Sequence, residues 1–331
     1  MRLGEIFRDG MIFQRGKPVR VFGGSESGVT VKFRETEQTC PAGKFAAEFP
    51  AEEYGGPYTL TVTGDGETVT LNDIYVGEVI LFSGQSNIQF RMKEALSPEP
   101  YENDDMLRIF VSERMEAGEP FKPSDGWIKA DRATIDNWSA VAYQTGRSLR
   151  KRGVPAVGVV ACSQGASVIQ SWIDDRIITQ SEYDFPVEKR HVDAKNPTYE
   201  QWNTYGKLYH FMLERLFPYS FGEVVWYQGE SNTSVIEGAV YDKMLDMMIR
   251  NWREKFNDSE LKFIVVQIAD YDARQTDGWR AVQDAQLRAA EWIPGVVTVK
   301  CADVCETTMI HPITKWKLAA RIASEIMEDK R

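Results

Sequence analysis

Histidine and cysteine are scarce in this 331-residue chain, with three of the first and four of the second. Cys40, Cys162, Cys301 and Cys305 are too few and too scattered for a disulfide-built fold. Cys301 and Cys305 are close enough to suggest a metal pair, but no further Cys or His cluster joins them. They are read as free thiols, which suits a reducing compartment, and no metal is expected. Basic charge is also short: 39 Lys and Arg stand against 49 Asp and Glu, for a net charge of -10. Without a basic stripe to meet phosphates, a nucleic-acid partner is excluded. No apolar run approaches the roughly 18 residues of a membrane span, so no membrane partner is expected either. The opening "MRLGEIFRDGMIFQRGKPV" has no apolar core segment and no small-residue cleavage site, which gives the expectation of a cytoplasmic protein.

What is present is the composition of an ordinary globular protein, 43% hydrophobic and 27% charged, with length for one large domain or a core domain plus a small one. Residues 18–77 read as short antiparallel strands: "PVRVFGG", "GVTVKF", "GKFAAEFP", "GPYTLTVTG" and "ETVTLNDIYVG" are bounded by Gly, Pro or Asp, and several alternate with period two. They predict a small β-sandwich, jelly-roll-like, over residues 1–75. From residue 76 to 331 the pattern changes. Apolar runs at 78–82, 156–161, 223–227, 263–269 and 295–302 alternate with helical stretches at 140–153, 205–217, 241–256 and 281–293. Such alternation predicts an α/β domain, a parallel sheet with helices on both faces. The stretches 92–137 and 173–203, polar and rich in acidic residues, are expected to be long surface excursions.

In open parallel sheets ligands bind beyond the carboxyl ends of the strands, so the residues after each apolar run carry most information. The first run, "EVILF", breaks into Ser83-Gly84-Gln85-Ser86-Asn87; the second leads to Ser163-Gln164-Gly165; the third to Gln228-Gly229-Glu230-Ser231-Asn232. The last leads through Asp303 and Glu306 to His311. A hydroxyl, an imidazole, carboxylates and amide donors are the components of acyl transfer. His311 lies in a loop ahead of a helical pattern, a position suited to a general base. His191 falls in a polar excursion and His210 in a helix pattern, where a packing role is expected.

"GQSN" (84–87), "WYQGESN" (226–232) and "IHPITK" (310–315) together resemble the blocks of the SGNH-hydrolase superfamily, most closely its sialate O-acetylesterase and acetylxylan-esterase branch. "DGMIFQRGKPVRVFG" and "GGPYTLTV" are similar to the β-module that precedes the catalytic domain in sialate O-acetylesterase-like proteins, and "NWREKF" and "VVQIADY" also fit. The resemblance covers nearly the whole chain. It implies an SGNH-type fold and a carbohydrate O-acetylesterase that removes acetyl groups from an acetylated mono- or oligosaccharide through a serine nucleophile, with no cofactor. Carried over by position, Ser86 is the nucleophile and His311 the base. The Ser86 and Gly165 amides would form the oxyanion hole, completed by Gln228 or, as an alternative, Asn232.

Relatives commonly carry Asp two or three residues before this His, and here those positions are Met309 and Thr308. The acid is therefore open between Glu230, placed first for its position in the oxyanion block, Glu306 and Asp303. A Ser–His dyad oriented by a backbone carbonyl is a further arrangement. Asn87, Trp172 and Trp202 are candidate sugar-binding residues, and Tyr227, Tyr271 and Trp279 could also stack on a sugar, although so many aromatics must also fill a core. Two other readings stand beside the esterase: a carbohydrate-binding protein that has lost catalysis, motivated by the missing Asp, and an esterase for non-sugar acyl groups.

Overall fold

The computed structural model describes residues 1–112, 114, 126–181 and 202–328. Eight strands come first: β1 (Arg2–Leu3), β2 (Ile12–Gln14), β3 (Val19–Ser25), β4 (Val29–Phe33), β5 (Thr36–Cys40), β6 (Gly43–Phe49), β7 (Gly55–Gly64) and β8 (Glu67–Gly84). β1, β3 and β6 form one antiparallel sheet. β5, β4, β7 and the first half of β8 form another, with β2 lying parallel to β8. Period-two patterning decides which side chains turn inward. In β6, Phe45, Ala47 and Phe49 are buried while their neighbours are exposed.

β8 is the hinge of the architecture. Its first half pairs with β7 and its second half, from Glu78 to Gly84, pairs in parallel with β11 (Val157–Ser163). The expected boundary at 75/76 thus falls inside one continuous strand. Buried polar contacts seal the junction: Glu78, fully buried, accepts from Gln14 Nε2 at 2.9 Å, Arg15 Nε at 3.2 Å and Tyr54 Oη at 2.5 Å.

The main sheet adds β9 (Asp104–Val111), β10 (Trp127–Ala130), β12 (Glu223–Tyr227), β13 (Lys262–Val266) and β14 (Val296–Val299). Its order is β10-β9-β11-β8-β12-β13-β14, and all but the edge strand β10 run parallel. Every residue of β11 and β12 is buried, as both-sided cover requires. The stretch 92–137 is therefore not only a surface excursion, because it contributes β9 and β10. Its acidic start hid a strand whose buried part begins at Leu107.

Among the described residues the helices include α1 (Ser86–Gln89), α2 (Ala140–Lys151), α3 (Asp175–Thr179), α4 (Val235–Gly238), α5 (Tyr241–Lys255), α6 (Asp277–Trp292) and α7 (Lys315–Glu328). α2 packs with α7, and α5 with α6, as two layers. From β8 the chain passes to β9 and β10 at one edge and returns to β11, then crosses β8 and steps outward through β12, β13 and β14. The helical stretch expected over 205–217 is helical over 207–216 but irregular, passing into a π-helical turn, Tyr209–Leu213, and then a 3₁₀ turn, Glu214–Leu216. Among the described residues no helix is long and apolar enough to cross a membrane.

Candidate active site

The β8 strand lies between β11 and β12, where chain order reverses and the carboxyl ends of the strands open a crevice. The chain leaves β8 at Gly84, with φ of 137°. A Cβ there would sit 2.1 Å from the Tyr227 carbonyl oxygen, so only glycine fits. The Gln85 amide then donates to that same carbonyl at 3.1 Å, and Ser86 begins α1 over the crevice. From the other end of the chain, the loop between β14 and α7 brings His311 back. Its Nε2 lies 2.8 Å from Ser86 Oγ, across 225 residues of sequence. Partial burial, and then the ammonium of Lys315, lower the pKa of His311 below the ordinary histidine value. Both effects favour the neutral imidazole, the form able to take the hydroxyl proton. Gly165, on the loop after β11, stands beside this pair: a Cβ there would lie 3.9 Å from Ser86 Cβ and 2.8 Å from Gln89 Oε1.

The structure does not join the other expected residues to the pair in the same way. Gln228 is fully buried, and both donor positions of its Nε2 are spent, on the Ser167 carbonyl at 2.9 Å and Asn232 Oδ1 at 2.8 Å. Asn232 is likewise buried, giving its Nδ2 to Gln170 Oε1 at 2.8 Å and Glu237 Oε1 at 3.4 Å. Neither amide has a free N–H for an oxyanion. They tie the third strand end to the loop after β11 instead.

The three candidate acids are corrected as well. Glu230 accepts from Asn87 Nδ2 at 2.5 Å, and burial raises its pKa above the usual carboxylate value. Glu306 accepts from the amide of Thr314 at 3.1 Å and from its hydroxyl. Asp303 is exposed and paired with the Arg321 guanidinium, which holds its carboxyl down at about 2. Among the described residues, no carboxylate reaches His311 Nδ1.

The sugar-binding candidates are corrected too. Asn87 is 1% exposed and wholly engaged inside the protein. Trp172 is fully buried, edge-on to Trp226 at 6.0 Å, with its Nε1 donating to Ser167 Oγ at 3.0 Å. Trp202 is buried as well, as are Tyr227 and Trp279. No face of these rings is open to a sugar, and of the five aromatics only Tyr271 is half-exposed. His210 is not a packing residue but a surface one, its ring nitrogens 2.8 Å from Asp175 and 3.1 Å from Glu214. His191 lies outside the described residues.

A family model described as carbohydrate esterase, sialic acid-specific acetylesterase, matches residues 76–328. The chain belongs to that family. Among its relatives, the sialate O-acetylesterase of Homo sapiens is 22% identical over 372 aligned residues, spanning 97% of this chain and 69% of that protein. The sialate O-acetylesterase of Pongo abelii is 22% identical over 368, with the same coverage. A crystal structure of a carbohydrate acetylesterase from Xanthomonas citri superposes with a TM-score of 0.79 at 28% identity, covering 97% of this chain and 73% of that one. An α/β fold with a large, mostly parallel central sheet is common to both structures.

Sequence reasoning missed Lys315 and the part played by Gln85. Gln85 Oε1 accepts from the amides of Gly229 and Ser231, at 3.4 and 3.2 Å, and so stitches the first strand end to the third. Lys315 opens α7 yet is fully buried, with its Nζ 2.5 Å from Asn87 Oδ1. It ends the "IHPITK" block, but a lysine in the first turn of a helix reads as exposed, and nothing in its spacing says otherwise.

Proposed function

We propose that this protein is a carbohydrate O-acetylesterase working through a serine acyl-enzyme, with Ser86 as nucleophile and His311 as general base. The observation that carries the reading is the 2.8 Å approach of Ser86 Oγ to His311 Nε2 at the switch point of the sheet. Membership of the family and the acetylesterase relatives supply the acyl group and the substrate class. Ser86 Oγ attacks the acetyl carbonyl carbon while its proton passes to Nε2. Backbone N–H groups of Ser86 and Gly165 hold the oxyanion. The tetrahedral intermediate collapses, the sugar oxygen leaves with the proton from Nε2, and water repeats the cycle on the acetyl-serine. Nothing in this sequence requires a metal or an organic cofactor. The dyad reading replaces a triad, because the side chains nearest in sequence to the missing acid, Thr308 and Met309, are exposed and carry no charge.

The strands of residues 1–75 are proposed as a jelly-roll-like β-sandwich module and residues 76–331 as the esterase domain, the family match beginning at residue 76. The test is acetate release from an aryl acetate and from O-acetylated sialic acids and acetylated oligosaccharides, by the wild type and Ser86→Ala. Turnover of acetylated sugars that falls at least ~10³-fold in the variant is expected. Wild-type activity in Ser86→Ala would overturn the assignment. A wild type that binds acetylated sugars without releasing acetate, or one that cleaves only aryl acetates, would replace it with the binding-protein or the non-sugar esterase reading.

A further inference from the structure

One amide side chain connects both halves of the dyad. Asn87 follows Ser86 directly in α1, and its Nδ2 donates to the carbonyl oxygen of Ile310 at 3.1 Å, the residue directly before His311. The orientation of that amide therefore sets the distance between the two catalytic segments. Two buried charges hold the amide from opposite ends: Lys315 Nζ donates to Oδ1 at 2.5 Å, and Glu230 Oε1 accepts from Nδ2 at 2.5 Å. Lys315 is itself enclosed by aromatic faces, with Nζ 5.3 Å from the ring centroids of both Phe90 and Tyr227. Phe90 in turn lies 6.1 Å from the His311 ring.

A charged side chain with no exposure is costly unless paired, and this one is spent on a neutral amide rather than directly on a carboxylate. We propose that Lys315 is a positioning residue for the reaction: by locking the Asn87 amide it fixes the Ile310 carbonyl, and with it the His311 imidazole, against Ser86. The inference rests on the Ser86–His311 reading. It assigns to a buried Lys–Asn–Glu chain the placement of the base that a neighbouring acid provides elsewhere.

The chain also has an electrostatic signature. Lys315 faces Glu230, Glu306 and the thiols of Cys301 and Cys305, while His311 faces Lys315 and, more weakly, Glu94. Lys315 opposes protonation of His311, so removing its charge raises the titration midpoint of the imidazole. A residue that merely filled space would leave that midpoint where it is.

The experiment compares the full chain with Lys315→Met, Asn87→Leu, the double variant and Ser86→Ala, each checked by near-UV circular dichroism. Aryl acetate kinetics are measured alongside an NMR titration of His311. Lys315→Met is expected to lose roughly 100-fold in kcat with KM unchanged, the scale of a small misplacement of a reacting group. Its His311 midpoint should move up. The double variant should be no worse than Asn87→Leu alone, because Lys315 acts through Asn87. Wild-type kcat in Lys315→Met, or an unmoved midpoint in the folded variant, overturns the proposal. If Lys315→Met does not fold, Asn87→Leu decides by the same kcat and KM comparison. Full activity in Ser86→Ala would mean that the dyad itself had failed. An inactive Ser86→Ala beside a fully active Lys315→Met would mean that only the positioning role had.

Discussion

The buried ammonium of Lys315 makes a thermodynamic prediction separate from catalysis. Burial pulls its pKa from the ordinary 10.5 to about 8, although the charges of Cys305, Cys301, Glu230 and Glu306 pull the other way. Below pH 8 both the folded and the unfolded chain hold the proton, and the fold bears the whole cost of the buried charge. As pH rises towards 10.5, the unfolded chain holds a proton that the folded chain has released, so stability rises with pH. At about 1.36 kcal/mol per unit, the 2.5-unit difference between those values is worth roughly 3 kcal/mol. The phenols of Tyr219, Tyr227 and Tyr241 and the thiol of Cys301, all pushed up, act in the opposite sense. They are present in both proteins when the wild type is set against Lys315→Met. The observable is therefore the difference in unfolding free energy between the two, from urea titrations at about pH 7 and about pH 10. The wild type should gain roughly 2–3 kcal/mol on the variant over that interval. A difference that stays the same at both pH values would refute the burial argument.

Three further predictions concern the residues around the dyad. Gly84→Ala forces a Cβ to within 2.1 Å of the Tyr227 carbonyl, on a backbone clamped by β11 and β12; it should cost roughly 3 kcal/mol in thermal unfolding and displace Ser86, and a wild-type melting curve would contradict this. Glu230→Gln keeps an acceptor for Asn87 and removes no partner of His311, so kcat should fall by less than about 100-fold; a loss near the ~10⁴ of a triad acid would restore Glu230 to that role. Trp172→Phe removes the bond to Ser167 and part of a three-tryptophan cluster with Trp226 and Trp252; it should lower stability by about 1–3 kcal/mol with an unchanged KM for acetylated sugar, and a raised KM would return Trp172 to the substrate.

Patterning revealed the sheet where burial was two-sided and continuous. The runs at 78–82, 156–161 and 223–227 are strands buried on both faces, apolar throughout except for Glu78 and Glu223, which open two of them. Loop chemistry directly after the first two runs pointed to Ser86 and Gly165, since small and polar residues there have few other reasons to be present, and the loop after the last run, 295–302, pointed to His311. Legibility ended where an answer depended on which partner a side chain chooses. Gln228 and Asn232 look like oxyanion donors in sequence, but an amide is as well used in cross-linking two loops, and spacing does not separate the cases. Trp172 and Trp202 follow the same logic: an aromatic near a site is a platform or a wall according to what covers it. β9 stayed hidden because its first residues, Asp104 and Asp105, read as surface, and Lys315 because burial of a lysine is decided by tertiary neighbours distant in sequence.

A carboxylate beside a catalytic histidine does two separable things: it orients the ring, and it stabilises the imidazolium formed when the serine gives up its proton. Under the proposed dyad the first task falls to packing and to the held carbonyl of Ile310. The second is not replaced, since the buried charge that acts on His311, Lys315, makes the imidazolium less stable. The consequence differs for the two halves of the reaction. A lowered pKa makes His311 a weaker base towards Ser86, but a stronger acid towards the departing sugar oxygen, which is a poor leaving group unless protonated. A dyad of this kind shifts the burden in the first step onto the oxyanion donors and eases expulsion of the sugar. Substitutions that disturb the Gly165 loop should therefore cost more here than in a relative that retains the acid.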